Sequence, residues 1–299
     1  MVAAKTFTLL VGAYGSAITG VRFDPSSPNL TVLGTSDSGH SGLAKTRQVA
    51  VMDYSSGTGA FIPLGDDLLT LDEANAQKIT FNATVSHPHQ AVEVGDEVIV
   101  PDLGADKIWR LTQSPNAQGA VPNWEIRGFV EQPTGSGPRH IAVDNGVLYT
   151  LHELASTLSS QTLPPLAYGA PSETISSFSI LPPGANGSTF GAAELIIDTK
   201  RSLLYASNRN LAASPDPRGD TIAIFSYNAT GHLTPVDQFF TGLNQIRAMA
   251  HGGPDNQYIA AAGLTGGGLA VFEKTGNSLT ERARLPAGSI DKPASFVWL

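Results

Sequence analysis

The sequence predicts an all-β fold of repeated antiparallel units, arranged as the blades of a propeller. Three observations predict it. Alternating apolar and polar residues dominate the chain, and helical periodicity is nearly absent. One phrase returns in altered wording: a basic or His-bearing turn, a short apolar strand, a tight turn, then a second strand ending in a polar residue. Its starts lie roughly fifty residues apart, the period of propeller blades and other repeat arrays. The 31 glycines and 20 prolines supply the tight turns that such a fold needs.

The elements follow in order. Strands are expected over Phe7–Ala13, Gly20–Phe23 and Thr31–Leu33, and then over Gln48–Asp53, which reads as an outer strand. Asp66–Gln77, with acidic residues at its start, is the one segment that reads as a helix. The repeat itself begins at His87-Pro88-His89-Gln90-Ala91-Val92 with Glu97–Pro101. It returns at Pro138–Val143 with Val147–Thr150, at Ala193–Ile197 with Leu203–Ala206, and at Ile246–Ala250 with Gln257–Ala262. Further strands fall at Lys107–Leu111, Glu125–Phe129, Thr174–Ile180, Thr221–Tyr227, Val236–Phe240, Gly268–Phe272 and Leu279–Arg284. Asp144-Asn145-Gly146, Thr275-Gly276-Asn277 and similar turns separate them. Ser156–Ser172 and Asn210–Gly219 read as long irregular loops.

The last segment, Lys292–Leu299, is a strand with no partner in its own repeat, and the first segment supplies strands with none before them. Pairing the N- and C-terminal strands in one blade accounts for both and leaves no open edge. The expected product is a single propeller domain over residues 1–299, with six or seven four-stranded antiparallel blades closed into a ring.

Composition narrows the function. The net charge of −8 leaves no basic face for nucleic acid or anionic membranes, but a pocket can still be locally basic. No stretch has the ~18 apolar residues of a membrane span. The chain has no cysteine, which excludes disulfides, thiolate nucleophiles and Cys-ligated zinc. Met1–Lys5 lacks the apolar segment of a signal peptide, so the cytoplasm is the expected compartment. Four N-x-Ser/Thr sequons, at Asn29, Asn82, Asn186 and Asn228, keep a secreted chain as the alternative, although about two would arise by chance. There is no Gly-x-Ser-x-Gly elbow and no phosphate-binding Walker loop.

Several phrases together resemble a known family. They are His87-Pro88-His89, Pro101–Ile108, Gly137-Pro138-Arg139-His140, Leu148-Tyr149 followed by Glu153, Leu204–Arg209 and the Ser295–Leu299 ending. Their order and spacing resemble the lactonase-type seven-bladed β-propellers, which include the fungal carboxy-cis,cis-muconate cyclases and the propeller-type 6-phosphogluconolactonases. The likeness covers Val85–Leu299 well and Phe7–His40 fairly. The chain departs from the family after Ser38-Gly39-His40, where a full blade and the inner strands of another are expected. What remains is material for about six blades, one of them without inner strands.

The resemblance implies an enzyme of lactone chemistry that works without a cofactor or metal on a small anionic substrate. It makes His89 the catalytic histidine, and imidazole can move a proton near neutral pH. It makes Arg139 and Arg209 the groups that hold a carboxylate or phosphate, which a guanidinium can grip with two hydrogen bonds. Glu153 is implied as the partner that orients His89 or shares its proton; a carboxylate beside arginines stays charged, which suits an orienter or base. His87, His140 and Arg247 lie in comparable turns and are candidates for substrate binding. Asp102 and Asp106 read as turn caps, and Trp109, Trp124 and Trp298 as packing residues between blades. Cycloisomerisation of a muconate-type acid is the leading expectation. Hydrolysis of a sugar lactone such as 6-phosphogluconolactone is the alternative, and a non-catalytic binding or scaffold propeller is the third reading. The sequence leaves the oligomeric state open.

Overall fold

The computed structural model describes residues 6–13, 17–26, 30–37, 43–44, 47–65, 70–114, 123–169, 172–214 and 216–299. Twenty-four strands make six four-stranded antiparallel sheets among them. The chain opens with β1 (Phe7–Ala13), β2 (Ala17–Phe23) and β3 (Leu30–Asp37). The second sheet is β4 (Leu43–Ala44), β5 (Gln48–Asp53), β6 (Thr58–Pro63) and β7 (Gln77–Thr80). The third is β8 (Val92–Val94), β9 (Glu97–Asp102), β10 (Lys107–Gln113) and β11 (Trp124–Glu131). The fourth is β12 (Pro138–Asp144), β13 (Val147–His152), β14 (Thr157–Thr162) and β15 (Thr174–Ser179). The fifth is β16 (Phe190–Asp198), β17 (Leu203–Asn210), β18 (Thr221–Tyr227) and β19 (Leu233–Phe240). The sixth is β20 (Asn244–Gly252), β21 (Tyr258–Gly266), β22 (Leu269–Thr275) and β23 (Ser278–Leu285), and the last strand is β24 (Pro293–Trp298).

Each sheet is an up-and-down meander, the unit of a propeller blade. The recurring sequence phrase forms the first two strands of the third to sixth sheets. The first sheet runs β24-β1-β2-β3, so the two ends of the chain share one sheet.

The residues group into two compact units. One holds residues 1–39, 156–158 and 177–299, and the other holds 40–155 and 159–176. In the first unit, β21 carries apolar residues on both faces. Tyr258, Ala260 and Ala262 pack with Phe7, Leu9, Val11 and Phe23 of the first sheet. Ile259 and Ala261 pack with Leu203, Tyr205 and Ile222 of the fifth. A strand buried on both faces loses the alternation of a half-exposed one, which explains the run Tyr258–Ala262. Trp298 stacks on Tyr258 and meets Phe7 and Phe23 edge-on.

The same unit encloses charge. Lys274 Nζ lies 2.6 Å from Asp198 Oδ2, and both side chains are wholly buried. Lys274 also donates to His251 Nδ1 at 2.9 Å, while His251 Nε2 donates to the Ile197 carbonyl at 3.0 Å. An ammonium has no acceptor, so this histidine carries its proton on Nε2. Burial pushes Lys274 down to about 8 against the pull of Asp198.

In the second unit, β9 divides its side chains in the same way. Val98 and Val100 join Phe61, Trp109 and Trp124, whereas Ile99 joins Ile141 and Leu148 of the fourth sheet. All three tryptophans thus pack between sheets.

Three local expectations need correction. Gln48–Asp53 is the second strand of its sheet and not an outer one, because β4 precedes it and pairs with its first residues. The second sheet therefore has a first strand, where none was expected. The expected helix lies partly outside the described residues. Within them, Glu73–Asn75 form a single 3-10 turn and Gln77 opens β7. The Gln77 amide bonds to both the N–H and the carbonyl of Trp124, at 2.6 and 2.7 Å. Finally, the supposed loop Ser156–Ser172 contains β14, whose Ser159 and Ser160 are buried with hydrogen-bonded hydroxyls.

Candidate functional site

Four of the expected residues meet at the beginning of β12 and the end of β13. Opposite residues there are Pro138 with His152 and His140 with Leu151, so Arg139 is an extra residue on its strand. Such a bulge re-aims a side chain out of the regular pleat. Arg139 is nearly fully buried, and its Nε lies 2.8 Å from Glu153 Oε2. Glu153 follows β13 and keeps about a fifth of its side chain exposed (21%). Arg139 Nη1 lies 3.1 Å from His140 Nε2. A guanidinium can only donate, so His140 accepts there and carries its proton on Nδ1.

His89 joins from the preceding repeat. Its ring centroid lies 5.0 Å from that of His140. Its backbone N–H donates to the Pro101 carbonyl at 3.0 Å, which places it beside the end of β9. His87 stacks flat on Tyr54 at 4.3 Å, and Tyr54 meets His89 edge-on at 6.2 Å. Both imidazoles therefore lie against one phenol ring, as residues two apart on an extended segment can. The His87 ring also bonds through Nδ1 to the Tyr54 carbonyl at 2.7 Å. The result is a continuous group: His87, Tyr54, His89, His140, Arg139 and Glu153.

The two aspartates are scaffolding. Asp102 accepts from the backbone N–H groups of His87, Gly104 and Ala105 and from Trp109 Nε1. This holds the His87-Pro88-His89 segment against β9. Asp106 reaches beyond its own turn to the N–H groups of Gly135 and Gly137, at 2.7 and 2.9 Å.

Arg209 and Arg247 belong to the other unit. Arg209 is buried at the end of β17 and donates to the Ala192 carbonyl at 3.1 Å. Nearby, Asp220 accepts from the N–H groups of Asn210 and Gln245, and burial raises its carboxyl to about 6. Arg247 is the extra residue in β20, between Ile246 opposite Gly263 and Ala248 opposite Ala262. It repeats the placement of Arg139. A separate cleft of about 260 Å³ in this unit is lined by Asn208, Asn210, Asp220, Arg218 and Phe240 and holds none of the expected residues.

Sequence reasoning missed Tyr54 and His152. Tyr54 is 33 residues from His87 and carries no motif. His152 stands directly before Glu153, and that His-Glu pair was the available signal. Among the described residues, no three His, Asp or Glu side chains are grouped to hold a metal. Asn82, Asn186 and Asn228 are exposed, while Asn29 lies outside the described residues.

Four-stranded antiparallel blades, with ionisable side chains gathered where the first strand begins and the second ends, define a propeller with a site built at strand ends. The chain belongs to the family described as "Lactonase, 7-bladed beta-propeller", whose model matches residues 10–285. Six sheets are described here against the seven blades of that description. No curated protein matches the chain well enough to count as a relative. Solved structures show the same fold. A Bacteroides fragilis protein, provisionally assigned as a 6-phosphogluconolactonase, is 20% identical with a TM-score of 0.74, covering 100% of this chain and 99% of its own. A Bacteroides uniformis protein with the same provisional assignment gives 20% and 0.74, covering 98% and 99%. The periplasmic gluconolactonase PpgL of Pseudomonas aeruginosa gives 20% and 0.73, covering 99% of each. No helix among the described residues is long and apolar enough to cross a membrane.

Proposed function

We propose that the protein is an enzyme of lactone chemistry that hydrolyses a lactone ring on a small anionic molecule. One observation carries the reading: two imidazoles, His89 and His140, lie 5.0 Å apart beside a guanidinium that is fixed by a carboxylate. Membership of the lactonase family supports it, and so do the gluconolactonase descriptions of the structural neighbours.

The chemistry needs a mobile proton and a fixed positive charge. His89 takes a proton from water as its oxygen adds to the lactone carbonyl. The charge that develops on the carbonyl oxygen is met by Arg139, and by the Nδ1–H that His140 carries because its Nε2 accepts from Arg139. The ring C–O bond then breaks, and the leaving oxygen takes its proton back from His89. Glu153 holds the Arg139 fork in one orientation throughout, so no reorganisation is needed as charge builds up. No step draws on a cofactor or metal.

The substrate's own carboxylate or phosphate is the anionic handle, and a sugar lactone such as 6-phosphogluconolactone fits this description. Cycloisomerisation of a muconate-type acid, the leading expectation from the sequence, needs the same groups without water and keeps its place in the test. Purified protein should open 6-phosphogluconolactone or gluconolactone faster than buffer does, and His89→Gln should remove about 10²–10⁴ of that rate. Turnover of carboxy-cis,cis-muconate in place of both lactones would move the assignment to the cyclase reaction.

A further inference from the structure

We propose that His152 is a positioning residue for the Arg139–Glu153 pair, acting as a strut on the 132–137 loop from which that pair is hung. Its catalytic meaning rests on the lactone reading above, but its physical content does not. His152 ends β13 and is buried. Each ring nitrogen meets a serine hydroxyl: Nδ1 lies 3.0 Å from Ser136 Oγ and Nε2 lies 2.9 Å from Ser159 Oγ. A neutral imidazole has one donor and one acceptor nitrogen, and a hydroxyl can play either part. Both contacts are therefore satisfied in either tautomer, and the ring is fixed between the loop and β14. Burial holds its pKa down at about 4, so the ring stays neutral and bridges without carrying a proton.

The loop that it holds carries both halves of the ion pair. The Gly137 carbonyl accepts the N–H of Glu153 at 2.7 Å, and the Ser136 carbonyl accepts those of Leu154 and Ala155 at 3.1 Å each. Arg139 follows Gly137 by two residues, at the bulge. Asp106 grips the same loop from the third sheet, through the N–H groups of Gly135 and Gly137, while its carbonyl accepts from Gln132. Gly137 has φ +65°, and a methyl group there would press on Leu154 and Leu103, so the loop passes where only glycine fits. His152 joins the Ser136 end of the loop to β14, while Gln132 at its other end donates to Gln161 Oε1 of the same strand at 3.2 Å. Removing it frees Ser136 and leaves the carbonyls that seat Glu153 with one anchor fewer. A site group is useful only while its supporting shell keeps it within a fraction of an ångström.

The test reads the ion pair directly. In protein labelled with ¹⁵N at arginine, the Arg139 Nε–H resonance is assigned by its loss in Arg139→Lys. Its exchange with water is then followed in His152→Leu, in Ser136→Ala/Ser159→Ala and in His152→Gln. Exchange should quicken by about tenfold in the first two, the effect of losing roughly one hydrogen bond. His152→Gln, which keeps a donor and an acceptor, should restore slow exchange. The serine pair decides the matter if His152→Leu does not fold. Unchanged Arg139 exchange in a folded variant lacking the bridge overturns the proposal. Failure of the wild-type protein to open any lactone would sink the proposed function, but would leave this result to stand or fall by itself.

Discussion

Arg139 reaches Glu153 across the start of β12 with Nε and Oε2 2.8 Å apart, and the arginine is almost entirely out of water. Taking a guanidinium out of water is costly, and only a partner charge makes its burial tolerable. Glu153→Gln leaves that charge without its carboxylate. We expect a loss of about 3 kcal/mol, the lower end for a broken buried pair, because Glu153 keeps some contact with solvent. Urea denaturation of wild type and variant measures it. A loss under about 0.5 kcal/mol would mean that the pair behaves like a surface contact.

The sheet shared by the chain ends gives a second prediction. Gly252 lies under the indole of Trp298, and a methyl group at Gly252 would overlap the ring. Gly252→Ala should therefore cost about 2 kcal/mol by overpacking. Deleting residues 293–299 removes β24 and exposes an edge of β1. That variant should aggregate, as open edges do, which light scattering at low micromolar concentration would show.

Stability should fall in mild acid. Burial holds His152 and His251 down at about 4 each, whereas in the unfolded chain they return to about 6.5. Between those values the unfolded chain carries two protons that the folded chain does not. Asp220 opposes this: burial raises it to about 6, so the folded chain keeps a proton that the unfolded one has released. Near pH 5 the unfolded chain therefore holds about one proton more, and stability rises with pH by about 1.4 kcal/mol per unit. It is lost as pH drops from 6.5 towards 4. His251→Gln should flatten this slope, as denaturation curves at stepped pH would show.

The strands were legible because the alternation of side chains records which faces are buried, and the repeated phrase recorded the first two strands of four sheets. β4 was not, because its two described residues carry no periodicity. The acidic start of Asp66–Gln77 suggested a helix, yet the amide of Gln77 finds its partners on Trp124, 47 residues away. The site was half legible. His89, Arg139, His140 and Glu153 were named from motif positions, whereas Tyr54 meets the histidines only through the packing of the second sheet against the third. The bulges that re-aim Arg139 and Arg247 exist only in the strand register, and no pattern of residue types announces them.

The most direct measurement is the rate of lactone opening by wild-type protein and by folded His89→Gln, with 6-phosphogluconolactone, gluconolactone and carboxy-cis,cis-muconate offered in parallel. Rapid opening of an anionic lactone that the substitution abolishes is the predicted result. Equal rates for wild type, variant and buffer with every substrate would contradict the assignment of chemistry to this histidine–arginine site.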